Sequence, residues 1–198
     1  MQDHEHEMNK SMASKLFRAA AGIELPVVLS LVALDVVARL LPHAPSLTPL
    51  AASALFAGVI FRSRILALAV PIAAMAISDL VLGGYDWRIM AAGYVAIAMP
   101  AFLGMWARWN GRTIAIAAAV PTMSLLFFAA SNFAVWAFSG IYPLTAQGLV
   151  ACYIAALPFL KSTLIGDALW SAALFGAWWV VGALLINRAS PKASARPS

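Results

Sequence analysis

Four ionisable side chains stand inside runs that are otherwise oily. Asp35 and Arg39 lie in VVLSLVALDVVARLL, Asp79 in AMAISDLVLGG, and Asp167 in STLIGDALWSAALFG. A bare carboxylate in hydrocarbon is costly, so such groups usually face a bundle interior or a wet cavity. Ion pairing, acid–base work and solute binding are the chemistries open to them. Near them in the sequence stand side chains that could hold a polar solute: Thr48, Asn132, Tyr85, Trp136, Tyr142 and Tyr153. His43, in LLPHAPSLTP, is the one histidine beyond the N-terminal DHEHE segment. Two histidines on a solvated tail do not make a preorganised metal site. A single cysteine, Cys152, excludes an intramolecular disulfide and a CxxC motif.

Several enzyme classes are excluded by what these residues lack. The chain contains no HExxH, GxSxG, P-loop or GxGxxG. With one histidine outside the tail, a bis-histidine haem between helices is excluded, and so is a serine–histidine pair in the membrane. We therefore expect no catalytic residue, no resident metal and no cofactor, and a binding or transport role in place of an enzyme.

The elements that must position these groups are membrane helices. Of the 198 residues 63% are hydrophobic and 11% charged, against about 25% charged in soluble domains. The excess of basic residues punctuates the gaps between oily runs, which argues for topology and against nucleic acid. A spanning helix needs about 20 apolar residues. On that basis the spans are read at 20–41, 47–61, 65–84, 89–108, 113–139 and 163–186. The apolar segment 141–162 is too short to cross comfortably and contains Pro158, so it is expected to be a re-entrant or interfacial loop lidding the polar groups. Six spans place ten basic residues on one side (Lys10, Lys15, Arg18, Arg62, Arg64, Arg108, Arg112, Arg188, Lys192 and Arg196) and three on the other (Arg39, Arg88 and Lys161). By the positive-inside rule both termini are cytoplasmic. The expected architecture is an all-α polytopic membrane helix bundle. A cytoplasmic tail occupies 1–19, a six-helix membrane domain 20–187 and a second cytoplasmic tail 188–198.

This direction assigns depths. Spans 1, 3 and 5 run outward, which puts Asp35, Arg39, Asp79, Asn132 and Trp136 in outer halves. Spans 2, 4 and 6 run inward, which puts Thr48, Ser53, Tyr94 and Asp167 there too. The inner halves hold only Glu24. Such asymmetry predicts a pocket open to the outer side over an apolar floor. Each group also has a structural reading. Asp35 and Arg39 are four apart and can pair along one helix face. Asp79 can sit near the interface. Asp167 can serve the first turn of span 6, where a carboxylate suits the helix dipole. His43 and the three tyrosines can be ordinary loop and interface residues.

The series RLLPHAPSLTPLAASALFAG, VPIAAMAISDLVLG, SNFAVWAFSGIYPLTAQGLVACYIAALPF and GDALWSAALFG resembles a bacterial family of unknown function labelled as transport proteins. The general design is similar to the substrate-binding S components of energy-coupling-factor vitamin transporters, which are small six-helix proteins with cytoplasmic termini and an outer pocket. That likeness implies a protein of the bacterial inner membrane, surrounded by lipid, that takes up a small polar, vitamin-like nutrient. It would work alone or with an energy-coupling ATPase module. Some S-component-like proteins carry cobalamin with a cysteine on the cobalt; Cys152 is not matched to that position, so cobalamin stands as a candidate solute. S components dock through small-xxx-small helix faces, and Ser53/Ala57 and Ala54/Gly58 have that spacing. The alternatives are a structural or assembly subunit of a membrane complex and a membrane-embedded lipid-modifying enzyme.

Overall fold

The computed structural model describes residues 24–41, 47–110 and 113–189. His43, the first tail, residues 111–112 and residues 190–198 lie outside the described residues. Within them the chain is six helices with no strand. Helix α1 covers residues 24–40. It is followed by α2 (Leu50–Ile60), α3 (Arg64–Leu82), α4 (Trp87–Asn110), α5 (Thr113–Phe138) and α6 (Ala146–Ala189). Helices α3 to α6 are long and apolar enough to cross a membrane. Their outward faces carry large apolar side chains such as Ile65, Leu80, Val95, Trp109 and Leu169, all exposed. In water this surface would aggregate; in lipid it is the expected covering. The chain is a membrane protein built of apolar helices.

Helix α2 is the hub. It has 11 residues, and everything from Leu50 to Gly58 is buried. At 1.5 Å per residue it is about 16 Å long, roughly half of a 30 Å hydrocarbon core. A helix that short cannot cross alone, and it stays helical because its neighbours cover it. The sequence LAASALFAGVI suits this, since its small residues let other backbones approach. The closest approach is to α4. A Cβ on Gly58 would overlap the Ala101 carbonyl oxygen, and one on Gly104 would overlap that of Leu55. The small-residue pairs Ser53/Ala57 and Ala54/Gly58 are therefore spent inside the bundle, all of them buried, and present no docking face.

Two apolar clusters meet at α2. One joins Leu50, Leu55, Met75, Ile97 and Met123; the other joins Val28, Leu31, Phe56, Phe61 and Val70. Val28, Leu31 and Asp35 recur at helical spacing and are buried, which turns one face of α1 inward. Helix α3 starts at Ser63, whose hydroxyl accepts from Leu66 N at 3.3 Å, an N-cap bond. It ends where Gly83 takes φ 88° and donates its N–H to the Asp79 carbonyl, a conformation that favours glycine. Arg108 of α4 donates to the Phe61 carbonyl just past α2.

The expected outer loop at 141–162 is not a loop. Only residues 139–145 interrupt the helices, and α6 then runs unbroken for 44 residues through Pro158 into the last expected span. Thr145 starts it: its hydroxyl accepts from Gly148 N at 3.1 Å, satisfying a first-turn donor. Gly148 is packed so close to the turn that a Cβ there would overlap the Pro143 carbonyl oxygen. The helix is about 66 Å long, more than twice the hydrocarbon thickness. Proline in a membrane helix is tolerated when surrounding groups satisfy the carbonyl it frees, so Pro158 does not mark a break. Because α6 is one helix, the segment adds no crossing of its own.

Candidate functional site

The N-terminal end of α2 stops short inside the bundle, and a cavity of about 420 Å³ opens beside it. Its wall is built from all six helices and the segments next to them. Arg39 comes from the end of α1, Thr48 from the approach to α2 and Tyr85 from the α3–α4 turn; Phe127 and Ser131 come from α5 and Asp167 from α6. Apolar residues such as Leu50, Met75 and Ile97 fill the remainder. Trp170 ties the wall together by donating to the Leu47 carbonyl at 3.2 Å.

Arg39 is held in place from behind. Its Nη2 pairs with Asp79 Oδ1 at 2.7 Å, with side-chain exposures of 19% and 7%, and its Nη1 touches Met75 Sδ. The partner of Arg39 is thus Asp79, 40 residues away, and not Asp35 on the same helix face. Asp79 is in the last turn of α3 and buried, not a wet interfacial charge. Arg39 Nε and Asp79 Oδ2 have no hydrogen-bond partner. Tyr85, outside the helices, is half exposed; desolvation first, and then the nearby Asp79 carboxylate, push its hydroxyl above the ordinary value. It therefore stays a neutral donor at the mouth.

Asp167 is the second anchor. It stands mid-way along α6 and not in a first turn, so the helix-dipole reading does not apply. It is 3% exposed, and Ser124 of α5 donates to its Oδ2 at 2.6 Å. Asp35 is fully buried one layer away, where α1 meets α2; Ser53 donates to its Oδ1 at 2.9 Å. Its Oδ2 is unpartnered, and it does not line the cavity.

The remaining expected residues do not join this cavity. Asn132 Nδ2 donates to the Phe128 carbonyl of its own helix. Trp136 Nε1 donates across the turn to the Pro143 carbonyl at 3.1 Å. Tyr153 hydroxyl donates to the Ala129 carbonyl at 2.6 Å, and its ring meets Phe128 edge-on. Tyr142 lies in the α5–α6 turn. Cys152 is buried with its thiol against the Asn132 carbonyl. Trp136, Cys152 and Tyr153 tie the start of α6 and the turn before it to the end of α5. The cavity brings together Arg39, Thr48, Tyr85 and Asp167, with Asp79 behind Arg39. Sequence reasoning missed Ser124, Phe127, Ser131 and Thr163. A lone hydroxyl in an apolar run most often bonds back to its own helix, as Thr122 and Thr163 do, so the sequence carries no signal that separates Ser124 from them.

A family model matches residues 20–190, that of a family of unknown function designated DUF6580; the chain belongs to this family. No curated protein and no solved structure matches it.

Proposed function

We propose that this DUF6580 member is a small-solute uptake protein of the bacterial cytoplasmic membrane. It binds a compact, polar, vitamin-like nutrient in the cavity beside α2. The observation that carries the reading is the cavity itself: about 420 Å³ inside the bundle, mostly apolar, with Arg39, Thr48, Tyr85 and Asp167 on its wall. Ligand sites are typically clefts of roughly 300–1,000 Å³ with a few placed polar groups. A structural subunit has no need to keep such a space open. The charge asymmetry of the turns supports an outer position for this end of the bundle. The buried small-residue face of α2 favours a protein that works without a coupling module. The volume lies near the small end of the range, and Cys152 is engaged at the α5–α6 seam away from the wall; both features disfavour cobalamin.

The test is native mass spectrometry of the protein gently extracted into nanodiscs. A co-purified small molecule is expected, lost in Gly93→Phe, which fills the cavity beside Tyr85. Protein that carries no solute, and that gains no thermal stability from any fraction of a cell extract, would sink the proposal.

A further inference from the structure

The charges on the cavity wall do not cancel, and the imbalance names a substrate class. Arg39 is the only cation among the described lining residues, and Asp79 already neutralises it at 2.7 Å. Asp167 is the only carboxylate among the described lining residues. It is buried, and among the described residues its one recorded partner is the Ser124 hydroxyl. A hydroxyl donates one proton to a carboxylate but supplies no charge. In a membrane interior a carboxylate held in this way keeps its charge only with a counter-cation beside it. Tyr85 and Phe127 line the same cavity, and aromatic rings attract cations through their quadrupoles.

An anionic solute meets the opposite situation. It would meet an Arg39 whose charge Asp79 already neutralises, so the wall offers it no surplus positive charge. It would also share the cavity with the carboxylate of Asp167.

We propose that the cavity selects a solute carrying an organic ammonium group, with Asp167 as its counter-ion and Ser124 holding that carboxylate in position. The inference rests on the uptake reading and names the chemistry of what is taken up. Asp35, equally buried, is excluded from this role because it faces Ser53 at the α1–α2 contact and does not reach the wall.

The test uses three probes of one shape and different charge: phenethylammonium, phenethyl alcohol and phenylacetate. Each is titrated against the full-length protein in nanodiscs, with the thermal midpoint and intrinsic tryptophan fluorescence as readouts. The ammonium is expected to bind at least about tenfold tighter than the alcohol, about 1.4 kcal/mol, and phenylacetate not at all. Asp167→Asn keeps an acceptor for Ser124 and removes only the charge. It should fold as well as the parent and bind the ammonium no better than the alcohol. Asp86→Asn, in the exposed α3–α4 turn, should change nothing. Acidification should weaken the ammonium and spare the alcohol. Among the described residues the other charged and titratable groups on or behind the wall are Arg39, Asp79, Tyr85 and Tyr94; neutralising Asp79 would only add to the loss, and acid leaves both tyrosines neutral. Equal binding of ammonium and alcohol, preference for phenylacetate, or an ammonium preference that survives Asp167→Asn overturns the inference while leaving solute binding intact. If none of the probes binds, the inference also falls, and the co-purified solute decides the uptake reading separately.

Discussion

At the scale of single residues, the Arg39–Asp79 pair sets the energetics of the site. Two mostly buried charges are stable only together, since removing one strands the other. Arg39→Met or Asp79→Asn should each cost about 3–5 kcal/mol of stability, read as a lower melting midpoint in detergent. The double variant Arg39→Met/Asp79→Leu should recover most of that loss, because an apolar pair of similar volume leaves no charge behind. Asp86→Asn should be silent by the same measurement. If Asp79→Asn is as mild as Asp86→Asn, the pair is not holding the α1–α3 contact. The Trp136–Pro143 and Tyr153–Ala129 bonds belong to a different account. Tyr153→Phe should cost about 1 kcal/mol, the usual net worth of one hydrogen bond, and leave solute binding unchanged.

At the scale of elements, the short helix α2 decides whether a cavity exists. Its neighbours are long, so the space past its N-terminal end is closed by side chains from α1, α3, α4, α5 and α6 without being filled by backbone. That arrangement depends on the crossing of α2 with α4, where Gly58 and Gly104 leave no room for a Cβ. Gly58→Val and Gly104→Val should prevent close approach and abolish the monodisperse folded species in gel filtration. Gly176→Ala is the matched control, because nothing lies within 4 Å of a Cβ there. It should be neutral or stabilising by up to about 1 kcal/mol through helix propensity. An α2–α4 contact that tolerates valine at both glycines would contradict the central placement of α2.

At the scale of the whole molecule, the path of α6 sets the topology to be tested. A single helix from Ala146 to Ala189, antiparallel to α5, implies that the 83–86 and 139–145 turns share a side. Single cysteines placed at Asp86 and Leu144 in a Cys152→Ala background should therefore react with a membrane-impermeant reagent from the periplasmic side. A cysteine at Ser63 and a tag after Ser198 should be reachable only from the cytoplasm. A periplasmic C-terminal tag would mean that α6 does not cross once. The buried thiol of Cys152 should be unreactive in the folded protein whether or not a solute is present; labelling that changes with solute would instead support a moving lid at this segment.

The helical, membrane-embedded character was legible in the sequence because lipid imposes length and apolarity on every span, and both are local properties. The boundaries of α3, α4 and α5 fall within a few residues of those expected for the same reason. That Asp79 and Asp167 face inward also follows from local cost, since no isolated carboxylate is stable in hydrocarbon. Their partners were not legible. Arg39 is four residues from Asp35 and 40 from Asp79, and sequence proximity favoured the wrong carboxylate. The choice depends on how α1 is rotated against α2 and α3, which turns Asp35 toward Ser53 and leaves Arg39 to reach across. The continuity of α6 was equally hidden. Proline and a short apolar length read as a break in isolation; Thr145 as N-cap, and the packing of Cys152 and Tyr153 on α5, make it one helix. The cavity is the furthest from sequence of all. It exists because an 11-residue helix is enclosed by longer ones, and only tertiary packing decides where a short helix ends relative to its neighbours.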